Sequence, residues 1–78
     1  MRAHTLGVPE FYESYGDCIC HDNVNAIRET ESGLLVVINS AEHWIPKSQI
    51  HDDSEVYKAD TDGTLVITRW FAEQRGWA

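Results

Sequence analysis

From Val24 onward the apolar residues fall in short alternating or continuous runs bounded by turn residues, which predicts strands rather than helices. "VNAIRET" and "LLVVIN" are β-branched or apolar runs separated by Glu31-Ser32-Gly33, the signature of a hairpin. In the second run Leu34, Val36 and Ile38 share one face and Leu35 and Val37 the other, so both faces are apolar and the strand belongs in the middle of a sheet or inside a barrel. Asn39-Ser40-Ala41-Glu42 turns the chain. His43-Trp44-Ile45 returns as a short strand that Pro46 ends or confines to an edge. "EVYK" and "TLVIT" predict two more strands, with a tight turn at Asp62-Gly63. "RWFAEQRGW" predicts a short terminal helix in which Gly76 takes the left-handed position after the last turn and Trp70 or Phe71 caps an open end of the core. Residues 1–23 differ in character: Gly7, Pro9 and Gly16 interrupt Phe11, Tyr12 and Tyr15, and "PEFYESY" has room for one or two helical turns. The expected organisation is an irregular or partly helical segment over 1–23 and a single small β-barrel-like domain over 24–78. Its class is mainly β with one short C-terminal helix, a strongly bent antiparallel sheet or SH3-like barrel of about five strands. An OB-like barrel is the nearest competitor, but it wants longer strands.

Composition narrows the class further. A chain of 78 residues is one domain, near the size at which a single core only just offsets the entropy of ordering the backbone. No apolar run approaches the roughly 20 residues that cross a bilayer, and the first dozen residues lack a signal-peptide apolar region, so a cytoplasmic, membrane-free protein is expected. Thirteen acids against six Lys and Arg give a formal charge of −7, which disfavours generic nucleic-acid binding. Asp52, Asp53, Glu55, Asp60 and Asp62 crowd into a short span with only Lys58 among them. Such a run is either a solvated face or a surface that docks on a basic partner.

The familiar catalytic and metal motifs fail. Cys18 and Cys20 are too close in sequence to bridge each other, and Cys-x-Cys-His supplies at most two thiolates on one strand face, making them weak zinc candidates with His4, His43 and His51 eligible only by type. Reduced, buried cysteines are the simpler reading. "DTDG" is not a calcium loop, because Lys58 falls at its first position and Arg69 at its last. Cys20 and His21 are adjacent and point to opposite strand faces, the five glycines are scattered, and neither an enzyme nor a cofactor is implied.

In "EHWIPKSQI", Ile45, Pro46 and Ile50 have the character of packing and punctuation, whereas Trp44, Lys47 and Gln49, joined by Trp70, could recognise a nucleotide by stacking and charge. "EHWIPKSQI", the acids after it and "GTLVITRWFAEQRGW" together resemble a set of small phage and mobile-element proteins over about the last two-thirds of the chain. That resemblance implies a viral or mobile-element setting in which tiny acidic proteins often inhibit host machinery; "CICH" lies outside it. Three functions follow as expectations. The first is a non-enzymatic anti-defence inhibitor whose acids Asp52, Asp53, Glu55, Asp60 and Asp62 bind a host protein with a basic surface, such as the nucleic-acid channel of an immune effector. The second is a homo-oligomeric module that sequesters a nucleotide signal through Trp44, Lys47, Gln49 and Trp70. The third is an accessory single-stranded nucleic-acid binder in which Lys47, Lys58, Arg69 and Arg75 converge.

Overall fold

The computed structural model describes residues 11–13 and 16–77; Pro9, Glu10, Ser14 and Tyr15 of the expected helical turns, and His4 of the zinc candidates, lie outside them. The chain is mainly β. Strands β1 (Tyr12–Glu13), β2 (Cys18–Glu29), β3 (Gly33–Ile38), β4 (Ala41–Pro46) and β5 (Asp62–Thr68) form one antiparallel sheet, and helix α1 (Arg69–Gln74) follows β5 directly. A single 3-10 turn over Lys47–Gln49 follows β4.

The twelve-residue β2 organises the sheet. Ile19 and Cys20 pair with both β1 and β5, and Asn25 pairs with both β3 and β5. So β1 and β3 lie along one edge of β2 and β5 along the other. Two register shifts bend the strand, one between His21 and Val24 against β5 and one between Ala26 and Arg28 against β3. Each inserts an extra residue, which increases the local right-handed twist. At the first shift Asn23 sits at φ 61°, a left-handed conformation that Asn tolerates better than most residues. The bend brings the far end of the sheet back on itself: Ile50, just past the 3-10 turn, bridges to Ile67 of β5.

The hairpin expected around Gly33 forms. Thr30 Oγ1 accepts from the Gly33 N–H at 3.0 Å, and Asn39 and Ser40, both at positive φ, make the two-residue turn into β4. Leu34, Val36 and Ile38 point into the core with Ile45, Leu65, Ile67 and Val24, and all seven are fully buried. Leu35 on the opposite face is buried as well, so β3 is central, as its two apolar faces require.

Three expectations about local structure change. The boundary expected after residue 23 falls inside β2, and Tyr12–Glu13 are strand rather than helix. Gly16 and the aromatic residues around it mask the start of β2 at Cys18 in the sequence. "EVYK" is not a strand: Glu55 to Lys58 form an irregular segment, with Val56 in the core. Asp62-Gly63 is not the turn. The chain reverses at Ala59–Asp60, where Thr61 Oγ1 accepts from Tyr57 N and donates to Lys58 O, and Asp60 N–H bonds Ala26 O at 2.9 Å.

The terminal helix stops as expected, with a specific geometry. Gly76, at φ 77°, donates to Glu73 O, and Trp77 N–H donates to Ala72 O at 2.7 Å, the pair of bonds that defines a Schellman ending. The Trp77 ring then folds back edge-on to Phe71 with centroids 6.0 Å apart. At the start, Thr68 Oγ1 accepts from Phe71 N–H. Phe71, not Trp70, is the residue that enters the core.

Gly63 has a different task from turning the chain. Its φ is +129°, and a Cβ there would collide with Oε1 of Glu55, which bonds the Thr64 N–H at 2.8 Å. Gly63→Ala is expected to lower stability by about 2 kcal/mol, from the strained backbone and the displaced carboxylate together, read as a shift in the urea midpoint. A midpoint within error of the parent would show that the Glu55 contact is dispensable.

Candidate functional site

The acidic segment is bound to the outer edge of β5 rather than hanging in solvent. His51 N–H donates to Val66 O at 2.9 Å, and Glu55 N–H donates to Thr64 O at 3.0 Å. Between them Ser54, buried to 6% exposure, accepts from the Val66 N–H at 3.1 Å while its hydroxyl donates to Val56 O at 2.8 Å. Loop residues therefore satisfy backbone groups that an edge strand would otherwise leave open. Val56 then anchors the segment in the core.

This fastening fixes where each expected acid points. Asp52 and Asp53 sit exposed in the turn after His51, whose Nδ1 accepts from the Asp53 N–H at 3.0 Å. Glu55 is exposed but held by the Thr64 N–H. Asp62 is exposed at the start of β5. Asp60, at φ 69° in the reversal against Ala26, belongs to the turn that joins this edge to β2. Four of the five carboxylates thus follow the β5 edge, and Asp60 lies at its end.

Alternation along β2 adds an acid that attention to clustering missed. Cys18, Cys20 and Asp22 share the outer face, and Asp22 Oδ1 accepts from Tyr12 Oη at 2.9 Å and Thr64 Oγ1 at 2.8 Å. These bonds hold the Asp22 carboxyl below its usual range, Thr64 first, and the same carboxylate raises the Tyr12 hydroxyl. Asp22 ties β1, β2 and β5 together. Cys18 and Cys20 pack with Val66 as a small apolar cluster, both reduced. Burial pushes the Cys18 thiol up, with Asp17 adding to it, which opposes the thiolate a metal would need. Among the described residues no group of three His, Cys, Asp or Glu is gathered for a metal.

The four residues expected to form a nucleotide site are dispersed. Trp44 lies over Gly33 on the outer face of the β3–β4 hairpin, where a Cβ on the glycine would meet its ring at 3.4 Å. It covers a bare stretch of backbone, an aromatic compensating for a strand glycine. Lys47 is 2.6 Å from Glu29 Oε2, and the other oxygen of that carboxylate accepts from the Ala59 N–H; the Lys47 bond leads in lowering the Glu29 carboxyl. Gln49 Oε1 accepts from Thr68 Oγ1 at 2.6 Å. Only Gln49 and Trp70 meet, in a groove of about 470 Å³ lined also by Asp17, Thr68, Arg69 and Glu73. The cations do not converge either. Arg69 pairs with Glu13 at 3.4 Å, Lys58 sits over the Tyr57 ring, and Arg75 lies against Trp77 and Phe71.

One end of the core is closed by rings. Phe11 stacks on Trp77 at 5.3 Å, His21 meets Phe11 edge-on at 5.2 Å, and His43 meets Trp77 edge-on at 5.1 Å. The Arg75 guanidinium is 4.9 Å from the Trp77 ring centre and donates to Trp44 O at 3.3 Å, covering part of the open edge of β4. His43 Nε2 is buried with no partner among the described residues.

Comparison with known proteins brings no match: no family model, curated protein or solved structure matches the chain. Among the described residues no helix is long and apolar enough to cross a membrane.

Burial, and then Arg75, holds the His43 imidazole below its ordinary value of 6.5. The unfolded chain therefore takes up a proton on His43 before the folded one does. Stability is at its full value above about 6.5 and falls as pH drops from there toward the lowered native value. His43→Phe, which keeps an aromatic ring against Trp77, is expected to flatten this part of the dependence in urea titrations between neutral and mildly acidic pH. Parallel curves for parent and variant would assign the effect to another group.

Proposed function

We propose that this protein is a non-enzymatic binding domain that docks on a basic protein surface through the acidic edge of β5, with Asp52, Asp53, Glu55 and Asp62 as its charged contacts and Asp60 at its end. The observation that carries the reading is the fastening of the loop. Ser54, Val56 and the backbone bonds to Val66 and Thr64 hold exposed carboxylates on a fixed line. The same bonds that close the β5 edge leave these carboxylates pre-ordered, and docking gains from that because little entropy is lost when the partner arrives. The excess of acid and the few cations, several of them occupied elsewhere, support the same choice. Complementary charge of this kind accelerates encounter and discriminates among partners.

The partner class that fits is a host protein whose basic channel ordinarily holds nucleic acid. Together with the resemblance to phage and mobile-element proteins, this supports reading the chain as an anti-defence inhibitor that acts in the cytoplasm by occupying that channel. The dispersal of Trp44, Lys47, Gln49 and Trp70 favours it over nucleotide capture.

The triple variant Asp52→Lys, Asp53→Lys, Asp62→Lys alters exposed positions and leaves Ser54, Glu55 and Gly63 in place. In competition with the guide or target nucleic acid of purified immune effectors, the parent chain is expected to displace the nucleic acid, less so as salt rises. The variant should bind at least roughly tenfold more weakly with its fold intact by circular dichroism. Displacement that survives the triple reversal, or none by the parent chain, would reject the reading.

A further inference from the structure

The acidic edge of β5 ends beside an indole that the core does not use. Trp70 is 60% exposed although it occupies the first turn of α1, next to the buried Phe71 and Ala72. It lines the groove with Gln49, Thr68, Asp17, Arg69 and Glu73. The charges around it are unequal. Arg69 is matched by Glu13 at 3.4 Å, while the carboxylates of Asp17 and Glu73 have no ion-pair or hydrogen-bond partner among the described residues. Gln49 and Thr68 hydrogen-bond each other, fixing the groove wall between the 3-10 turn and β5.

We infer that this groove receives an arginine side chain of the basic partner, its guanidinium against the Trp70 ring and its donors toward Asp17 and Glu73. A planar cation on an apolar stem is the group that an exposed indole beside two carboxylates, unpaired among the described residues, recognises best. Lysine fits less well, because its compact ammonium neither stacks nor forks between two carboxylates. A carboxylate or phosphate is excluded by the same two acids, and a neutral apolar residue leaves them unanswered. The inference rests on the docking reading above and adds a specific anchor to it. The edge acids attract any basic surface, and the Trp70 groove selects one that presents an arginine.

The test uses the full chain with oligo-arginine and oligo-lysine peptides of equal length at low salt, followed by the three Trp indole N–H resonances. Oligo-arginine is expected to shift the Trp70 resonance, assigned from Trp70→Phe, and to bind more tightly than oligo-lysine. Trp70→Ala should weaken oligo-arginine binding roughly tenfold and remove the preference over oligo-lysine. Asp17→Asn with Glu73→Gln should weaken it with the Trp70 ring in place. Since Trp70 is exposed, thermal melts of these variants should match the parent. Equal affinity for the two peptides, with the Trp70 resonance unmoved, would overturn the groove inference and leave the edge reading standing. Absence of binding to either peptide would overturn both.

Discussion

The Ser54 hydroxyl holds the arrangement together. β5 pairs with β2 on one side, and on its other side it faces the segment between the 3-10 turn and Val56. That segment is too irregular to form a ladder, so its contacts must come one at a time: the bridge of Ile50 to Ile67, His51 to Val66 O, Ser54 to the Val66 N–H, and Glu55 to Thr64. Ser54 is the buried polar member of this set, and it serves Val66 and Val56 at once. Removing its oxygen would leave buried backbone N–H groups without an acceptor, a cost well above that of an ordinary surface hydrogen bond. The line of acids is therefore a consequence of closing the sheet.

The opposite end faces a related constraint with different materials. β4 is an edge strand, and here its open side is partly covered by Arg75, which reaches Trp44 O from the end of α1. The Schellman ending makes that possible, because it turns Trp77 back over Phe71 and gives the guanidinium a ring to lie on. Covering an edge with the end of a helix protects it from pairing with another chain. It also places His43 beside a cation in an apolar setting, where its buried Nε2 has no partner among the described residues. The lowered proton affinity of His43 follows from the covering of the edge.

The apolar pattern made much of the fold legible. A run such as Leu34 to Ile38 admits few positions in a domain this small, and Gly76 after "RWFAEQR" marks a helix end by a rule with a steric cause. What escaped was of two kinds. Cys18 to His21 reads as strand only locally, and nothing in the sequence joins it to the run from Val24 as one strand; carried one step further, its alternation also identifies Asp22. Asp62-Gly63 carries a turn signal that tertiary packing overrides, since Gly63 is needed where Glu55 lies against the strand. Of the site, the acids could be read from composition, but not their alignment on β5, which depends on Ser54, a residue with no distinctive neighbours. Trp44 and Trp70 illustrate the limit from the other side. Both are exposed tryptophans, yet one covers a glycine and the other lines an open groove, and only three-dimensional register distinguishes them.

Charge placement explains why the acid excess collects on one edge without unfolding so small a domain. The ion pairs involving Lys47 and Arg69 use Glu29 and Glu13, both outside the acidic loop, and Arg75 is taken by rings. The loop's carboxylates thus remain exposed, with Glu55 tempered by its bond to Thr64. Repulsion between Asp62 and the acids of the Trp70 groove is limited by distance. The seven residues of β5 span roughly 20 Å, about two screening lengths at physiological salt, so Asp62 at one end scarcely feels Asp17 and Glu73 at the other. A partner that bridges this distance meets two separate attractions: a diffuse one along the edge that governs how often it arrives, and a local one at Trp70 that governs how long it stays.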